Sequence, residues 1–522
     1  MKTKLIKMMA GIVAVTMLLG GCLSEKKIGS SSKVVTGKGE LITEEPTEIS
    51  VLIQSSGEQK YEEKDTWKEA ARLTNVTAKQ STAKNVSTIQ EAFSLMMSTG
   101  ELSDLVYYID RTDINKYGQE GAFAPLNDLI DEYAPNYKKY LDEHPEVKKA
   151  ITTDDGQIYG LMVAGPDDVK AAQGWEIRKD WLDKLGLEIP KTVDELHDVL
   201  KAFIDNDANG NGKKDEIPFF SRLSSNESFE PLIALWGARK GLYLGEDKKI
   251  HFGPAEKEYQ NAYSNVAKWY SEGIIDKEIF SRGGKARNEL FGQDVGGCTH
   301  DWFFSTCQFN DLMKSKNPDF KLVTFLPPAG KEVKVRDSIN TGLVAAISAQ
   351  SDKKEIALRW FDFWFGETGS RLINYGFEGK QYDMVDGVPT FKESMFEGDS
   401  TVLSQLYSLG AQQGPLFAQD FNYEKQCLNK EGLKGIEDYE ASGLLALDEE
   451  MPVLNFNAEE QKELASLMTD INTYVSEHTQ KWILGVEDCN AGFDGYLKGL
   501  MDMGLDRMLE IQQAAYERYL KK

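Results

Sequence analysis

Basic residues are in short supply in this chain: 60 lysines and arginines stand against 84 aspartates and glutamates, leaving a formal charge of -24. A surface so acidic repels phosphate backbones, which excludes nucleic acid as a partner. Cysteine is scarcer, with five in 522 residues. Cys298, Cys307, Cys427 and Cys489 match no zinc spacing and are too few for a disulfide framework, although Cys298 and Cys307 lie close enough in sequence for either one bridge or two free thiols. The five histidines are scattered, with no pair at helical spacing for a metal. Also missing are a nucleophile elbow, a zinc helix and a phosphate loop, since the glycines from Gly29 to Gly39 follow no strand. No apolar run approaches the ~20 residues that span a bilayer.

The one continuous apolar run, Met8 to Leu19, follows Lys2, Lys4 and Lys7 and ends in Gly20-Gly21-Cys22. That order of basic, apolar and small residues reads as a secretory leader over residues 1–21. Its Leu19-Gly20-Gly21-Cys22 ending resembles a bacterial lipobox. The resemblance implies cleavage before Cys22 and a diacylglycerol on its thiol, holding the chain on the outer face of the cell membrane. Residues 22–45 carry Lys26, Lys27, Gly29-Ser30-Ser31-Ser32-Lys33 and Gly37-Lys38-Gly39, the composition of a flexible tether.

From about Pro46 onward the chain is long enough for two cores, because single cores stop growing at about 250 to 300 residues. Glu48 to Ile53 reads as a strand and the residues around Trp67, Ala70, Ala71 and Leu73 as a helix. Thr88 to Thr99 is helical and stops at Gly100, Leu105 to Tyr108 is a strand, and Ile158 to Val163 another. Thr192-Val193-Asp194-Glu195 has the spacing of a capping box. Alternating strands and helices predict an α/β fold with mostly parallel sheets. Trp67, Trp181, Trp269, Trp360 and Trp364 lie on apolar helix faces and belong to the core.

Residues Gly174 to Leu187, followed by a capped helix and by Asp205 to Pro218, resemble the extracellular solute-binding lipoproteins of ABC importers, in the branch that binds alginate and pectin fragments. The run Phe93 to Asp104, Ala345 to Ser348 with Ala357 to Trp360, Asn374 to Lys380, Lys481 to Gly485 and Tyr496 to Tyr519 are similar to the same branch in the same order. The resemblance implies a two-lobe periplasmic-binding-protein-like (type II) fold with hinge crossings and C-terminal helices. It places lobe 1 at 46–165 and 338–400, and lobe 2 at 166–337 and 401–522. It also implies capture of an oligosaccharide between the lobes by a monomer that meets ABC permease subunits. Glycoside hydrolysis rests on two carboxylates held about 5 to 9.5 Å apart, a separation set by folding, so a secreted carbohydrate-active enzyme stays as an alternative reading beside a sugar-sensing surface lipoprotein.

The loop Asp205 to Glu216 places oxygen side chains on alternate residues with glycines between them, the pattern a hard cation such as Ca2+ requires. Starting at Asp205 it satisfies an EF-hand, with Gly210 at the sixth position and Glu216 at the twelfth. Starting at Asp207 it resembles the calcium loop of the oligosaccharide-binding branch, which implies Asp207, Asn209, Asn211, the Lys213 carbonyl, Asp215 and Glu216 as ligands. An EF-hand continues into a helix, whereas Glu216 runs into the strand-like Ile217-Pro218-Phe219-Phe220, which favours the Asp207 start. With every ligand in one short loop, the ion is structural.

Parallel α/β sheets bind ligands in loops beyond the carboxyl ends of their strands. That rule selects Ser55 and Ser56, Asp110 and Arg111, and His300, Asp301 and Trp302; Trp175, Trp236 and Glu378 complete the set of candidates. Flat rings for the C–H face of a sugar, with carboxylates and other polar groups for its hydroxyls, suit a saccharide.

Overall fold

The computed structural model describes residues 34–35, 39–54, 59–81, 88–165, 169–223, 225–328, 330–333, 335, 339–397 and 400–521. The leader, Cys22 and Ser55 lie outside the described residues. The first part of the chain forms β1 (Thr47–Leu52), β2 (Val76–Ser81), β3 (Leu105–Tyr108), β4 (Leu161–Ala164), β5 (Gln173–Arg178) and β6 (Ile217–Phe219). There follow β7 (Leu242–Leu244), β8 (Ile250–Phe252), β9 (Gly296–Trp302), β10 (Leu322–Phe325), β11 (Ile339–Ile347), β12 (Tyr382–Val385) and β13 (Val388–Phe391).

Two main sheets result, ordered β2-β1-β3-β11-β4 and β10-β5-β9-β6. Helix signals explain how the chain returns between parallel strands. Thr88 caps the helix Ile89–Thr99 through a reciprocal box with Glu91, and Gly100 ends it in the left-handed conformation with φ of 72°. Thr192 and Glu195 form the same box at the start of the helix Val193–Asp205.

The sheets are mixed, which corrects the mostly parallel expectation. β1 pairs in parallel with β2 and β3, but β11 runs antiparallel to both β3 and β4. The chain leaves the first sheet at the end of β4 and re-enters it at the start of β11 on that same edge. A strand that enters where its neighbours exit must run opposite to them.

Each sheet has its own core. One buries Val51, Val106, Leu161, Ile347, Trp360 and Trp364; the other buries Ile177, Trp181, Phe203, Phe219, Trp269 and Trp482. Trp67, Trp181, Trp269, Trp360 and Trp364 are all buried, as their helical spacing predicts. Two boundaries differ from expectation. Ile42, placed in the tether by composition, is buried, and its amide donates to Thr74 O. Residues 402–423, expected in the second lobe, pack with the first: Val402, Leu406 and Tyr423 join Tyr375 and Phe391, and Lys64 Nζ reaches Tyr407 O at 3.0 Å. The chain enters the second lobe with the helix Lys430–Ser442, whose Tyr439 donates its hydroxyl to Phe325 O. All four described cysteines are free thiols.

Candidate functional site

Strand directions place the site. In the first sheet β1, β2, β3 and β4 share one direction and β11 opposes them, so the chain emerges at one edge after Leu52, Ser81, Tyr108 and Ala164 and enters there at Ile339. In the second, β6, β9 and β10 share a direction that β5 opposes, so Phe219, Trp302 and Phe325 end where Gln173 begins. Chain crosses from Ala164 to Gln173 and from Phe325 to Ile339, joining one edge to the other. The two strand-end edges therefore adjoin where the chain crosses between the sheets.

On the lobe 1 side, Asp110 is exposed and caps the helix Arg111–Gln119, accepting from the amides of Thr112 at 2.7 Å and Asp113. Arg111 is half-buried, and its guanidinium donates to Ala150 O at 3.2 Å, to Leu454 O at 2.6 Å and to the Asn455 side chain. Those bonds correct its reading as a ligand group: it is a strut to the C-terminal part of the chain. Trp175 is corrected too. Only 1% exposed, it packs among Phe219, Phe325 and His300, with no open ring face for a sugar.

Asp301 is buried and already engaged. Arg222 Nε binds one of its oxygens and Arg287 the other, at 3.1 Å, while the Trp302 amide donates to Oδ1 at 2.8 Å. It holds other groups in place instead of offering its own oxygens, which corrects its expected role. His300 is buried against Glu332 at 2.9 Å, fastening β9 to the crossing between lobes. Trp302 is half-buried at the end of β9, and Trp236 is half-buried in a T-shaped contact with Trp269, the ring centroids 5.3 Å apart. Glu378 is exposed before the β12–β13 hairpin and shares no described hydrogen bond with these groups.

Sequence reasoning missed Arg222, Arg287 and Glu176. Arg222 follows β6 by three residues and was open to the same strand-end rule that found Asp301. Glu176 carries no local signal: it is a fully buried acid within β5, and desolvation together with the charge of Asp301 pushes its carboxyl well above the ordinary range. Between Thr341 of β11 and Glu146, Glu450, Met451 and Tyr519 lies a cavity of about 380 Å³, bordered by two carboxylates.

The oxygen-rich loop is folded as a series of Asx turns. Asn209 Oδ1 accepts from the Asn211 amide, Asn211 Oδ1 from Lys213, and Asp207 Oδ2 from Gly212. Gly210 and Gly212 have φ of 76° and 78°, values that favour glycine. Glu216 Oε1 accepts from the Asn209 amide, while its Oε2 is buried with no hydrogen-bond partner. An orphaned carboxylate oxygen among amide and acid oxygens fits a calcium ion, whose ligands are all oxygen. Among the described residues no three or more His, Cys, Asp and Glu gather at metal-binding separation, so the donor set depends on the Asn side chains and backbone. Asp205 ends its helix and pairs with Lys201 at 2.7 Å, and β6 follows Glu216 directly.

Comparison with known proteins accords with this architecture. The profile of the bacterial extracellular solute-binding protein family matches residues 59–370. The fructooligosaccharide ABC transporter substrate-binding protein FusA of Streptococcus pneumoniae serotype 4 is 29% identical over 464 residues, covering 83% of both chains. The lipoprotein LipO of Bacillus subtilis is 26% identical over 321 residues, 59% of this chain and 62% of its own. Among solved structures, the alginate-binding protein AlgQ2, crystallised without calcium ion, superposes with a TM-score of 0.81 at 35% identity, covering 92% of this chain and 100% of that one. A family profile spanning more than half the sequence, on a fold of two sheets joined by chain crossings, makes this chain a member of the bacterial extracellular solute-binding proteins.

Proposed function

We propose that the protein captures an oligosaccharide in the interlobe cleft and delivers it to the permease of an ABC transporter, binding without catalysis. The observation that carries this reading is the pairing of two strand-end edges, with Trp302 half-buried at one of them beside an ordered set of charged groups. Its similarity to FusA, a substrate-binding protein named for fructooligosaccharides, supports the ligand class. The ligand bridges both lobes and shifts the population toward a closed form that the permease recognises.

Small-angle scattering on protein lacking residues 1–22, titrated with a panel of oligosaccharides, tests this. A fall in radius of gyration at saturation is expected; the same profile with and without bound sugar would sink the closure. The similarity to LipO and the Leu19-Gly20-Gly21-Cys22 sequence support a lipid at Cys22 that keeps the cleft outside the cell. Metabolic labelling with a radioactive fatty acid is expected to mark the wild-type chain and to vanish in Cys22→Ser; label retained in the variant would refute attachment there. We assign calcium, held by Asp207, Asn209, Asn211, the Lys213 carbonyl, Asp215 and Glu216, a structural role.

A further inference from the structure

Both crossings between the lobes and the chain that leaves the helix Lys430–Ser442 are laced side by side. The first crossing meets the second where Ala171 and Val335 form an antiparallel bridge. The second meets the departing chain where Glu332 and Leu445 pair in parallel: the Glu332 amide donates to Leu444 O at 2.8 Å and the Ala446 amide to Glu332 O at 2.9 Å. Lys331 Nζ adds an ion pair with Glu449 at 2.9 Å. A three-strand ribbon results, with the second crossing in its middle.

Lobe 2 holds this ribbon at several points. His300 of β9 fastens Glu332, and the Tyr439 hydroxyl accepts from the Trp175 amide at 2.9 Å while donating to Phe325 O at 2.8 Å. Glu440, the next residue of the helix, holds the outer edge. Its Oε1 accepts from the amides of both Lys170 and Ala171, each at 2.6 Å. Such bonds to a carboxylate are charge-assisted and stronger than neutral ones. Ala171 is fully buried, so its amide has no water to turn to without that oxygen. Glu440 is otherwise exposed, and among the described residues its carboxylate has no other hydrogen-bond or ion-pair partner. A surface acid spent wholly on two amides of a crossing acts on that crossing.

We propose that Glu440 is a positioning residue for lobe closure: it locks the first crossing to the lobe 2 helix, so that the laced crossings turn with lobe 2 as one unit. This rests on the capture reading above and names a residue that regulates it. Without the lock the crossing gains conformations that closure must remove again, which favours the open ensemble.

Native-state hydrogen exchange, scattering from the ligand-free protein, and titration calorimetry with a fructan trisaccharide and a uronate trisaccharide test the lock on protein lacking residues 1–22. In Glu440→Ala the Lys170 and Ala171 amides are expected to exchange at least about tenfold faster, the scale of a hydrogen bond to a charged group. The acceleration is expected to reach the Glu332 and Ala446 amides across the ribbon. The ligand-free radius of gyration is expected to rise, and affinity for whichever probe binds to fall about tenfold as the competent state loses population. Glu440→Gln keeps an acceptor oxygen and is expected to restore most of each effect. Glu437→Ala, which removes an exposed acid one turn earlier, is expected to match the wild type. Alanine and glutamine are strong helix formers, so the helix survives in all three variants. Unchanged exchange in Glu440→Ala overturns the proposal. So does acceleration confined to Lys170 and Ala171 with radius and affinity unmoved, which would make Glu440 a local tie. If the wild type binds neither trisaccharide, the capture reading loses its support, while the exchange and scattering arms still decide the lock.

Discussion

Chelating calcium is expected to lower the melting temperature of the protein by about 3 °C, because an ion bound only by the native state stabilises it through mass action. At a free calcium concentration one hundred times Kd the stabilisation is about 2.7 kcal/mol. The loop is prepared for such a role: its turns fix three oxygens before any ion arrives, and the buried Oε2 of Glu216 lacks a partner that a cation would supply. Differential scanning calorimetry in calcium and in chelator measures the difference directly. Two variants separate the competing registers. Asp207→Asn is expected to abolish most of the calcium response, whereas Asp205→Asn, which touches a carboxylate already paired with Lys201 on the preceding helix, is expected to keep it. Superimposable melts in calcium and chelator would reduce the loop to an ordinary turn.

The elements of the fold were legible wherever local chemistry decides. Leu105–Tyr108 was readable as a strand because four consecutive buried residues are followed by a polar helix cap. The helix Ile89–Thr99 was readable from Thr88 at one end and Gly100 at the other. Pairing across the sheets was less accessible. β11 enters the first sheet after a detour through the second lobe, and only that path makes it antiparallel. Residues 402–423 contain no signal for the lobe they join; their anchors are distant backbone groups, such as the amide of Gln412 on Ile373 O.

The site was partly legible for the same reason. Strand-end reasoning picked Asp301, Trp302, Asp110 and Arg111 by position, two of which turn out to hold other groups in place, and it passed over Arg222, which follows β6 in the same way. It misjudged Trp175 because what covers that ring comes from far along the chain. The Trp175 amide donates to Tyr439 Oη, and a Cβ at Gly174 would lie 2.3 Å from Phe303 and 2.5 Å from Tyr439. The Gly-Trp pair is thus a seat for the helix Lys430–Ser442. Arg178 extends the point: fully buried between Trp181 and Phe320, it pairs with Asp180 at 2.6 Å and Asp294 at 2.7 Å. The segment that most strongly suggested the family is therefore a structural joint.

Replacing Arg111 with alanine is expected to cost about 3 kcal/mol and to loosen the angle between the lobes. Arg111 sits at the strand-end edge of lobe 1, yet its donors go to Leu454, Asn455 and Ala150. The Asn455 side chain returns to the same place, donating to Ala150 O at 3.2 Å and Thr152 O at 2.9 Å. Arg518 of the last helix holds Asn455 O, pairs with Glu460, and reaches Asp154 of lobe 1 at 3.5 Å. Leu454 and Asn455 thus form a strap between lobe 1 and the C-terminal helices, additional to the crossings. Removing the guanidinium leaves three acceptors short of a donor, at about 1 to 3 kcal/mol each and less than additively. Burial lowers the Arg111 pKa to about 10, so the group stays charged at neutral pH and no titration of it confuses the comparison. Urea denaturation reads the stability, and scattering from the ligand-free protein reads the lobe angle, with a larger radius of gyration expected in the variant. Because the binding-competent state would be less populated, apparent affinity for the sugar is expected to weaken in proportion. A variant as stable and as compact as the wild type would mean that the crossings alone set the hinge.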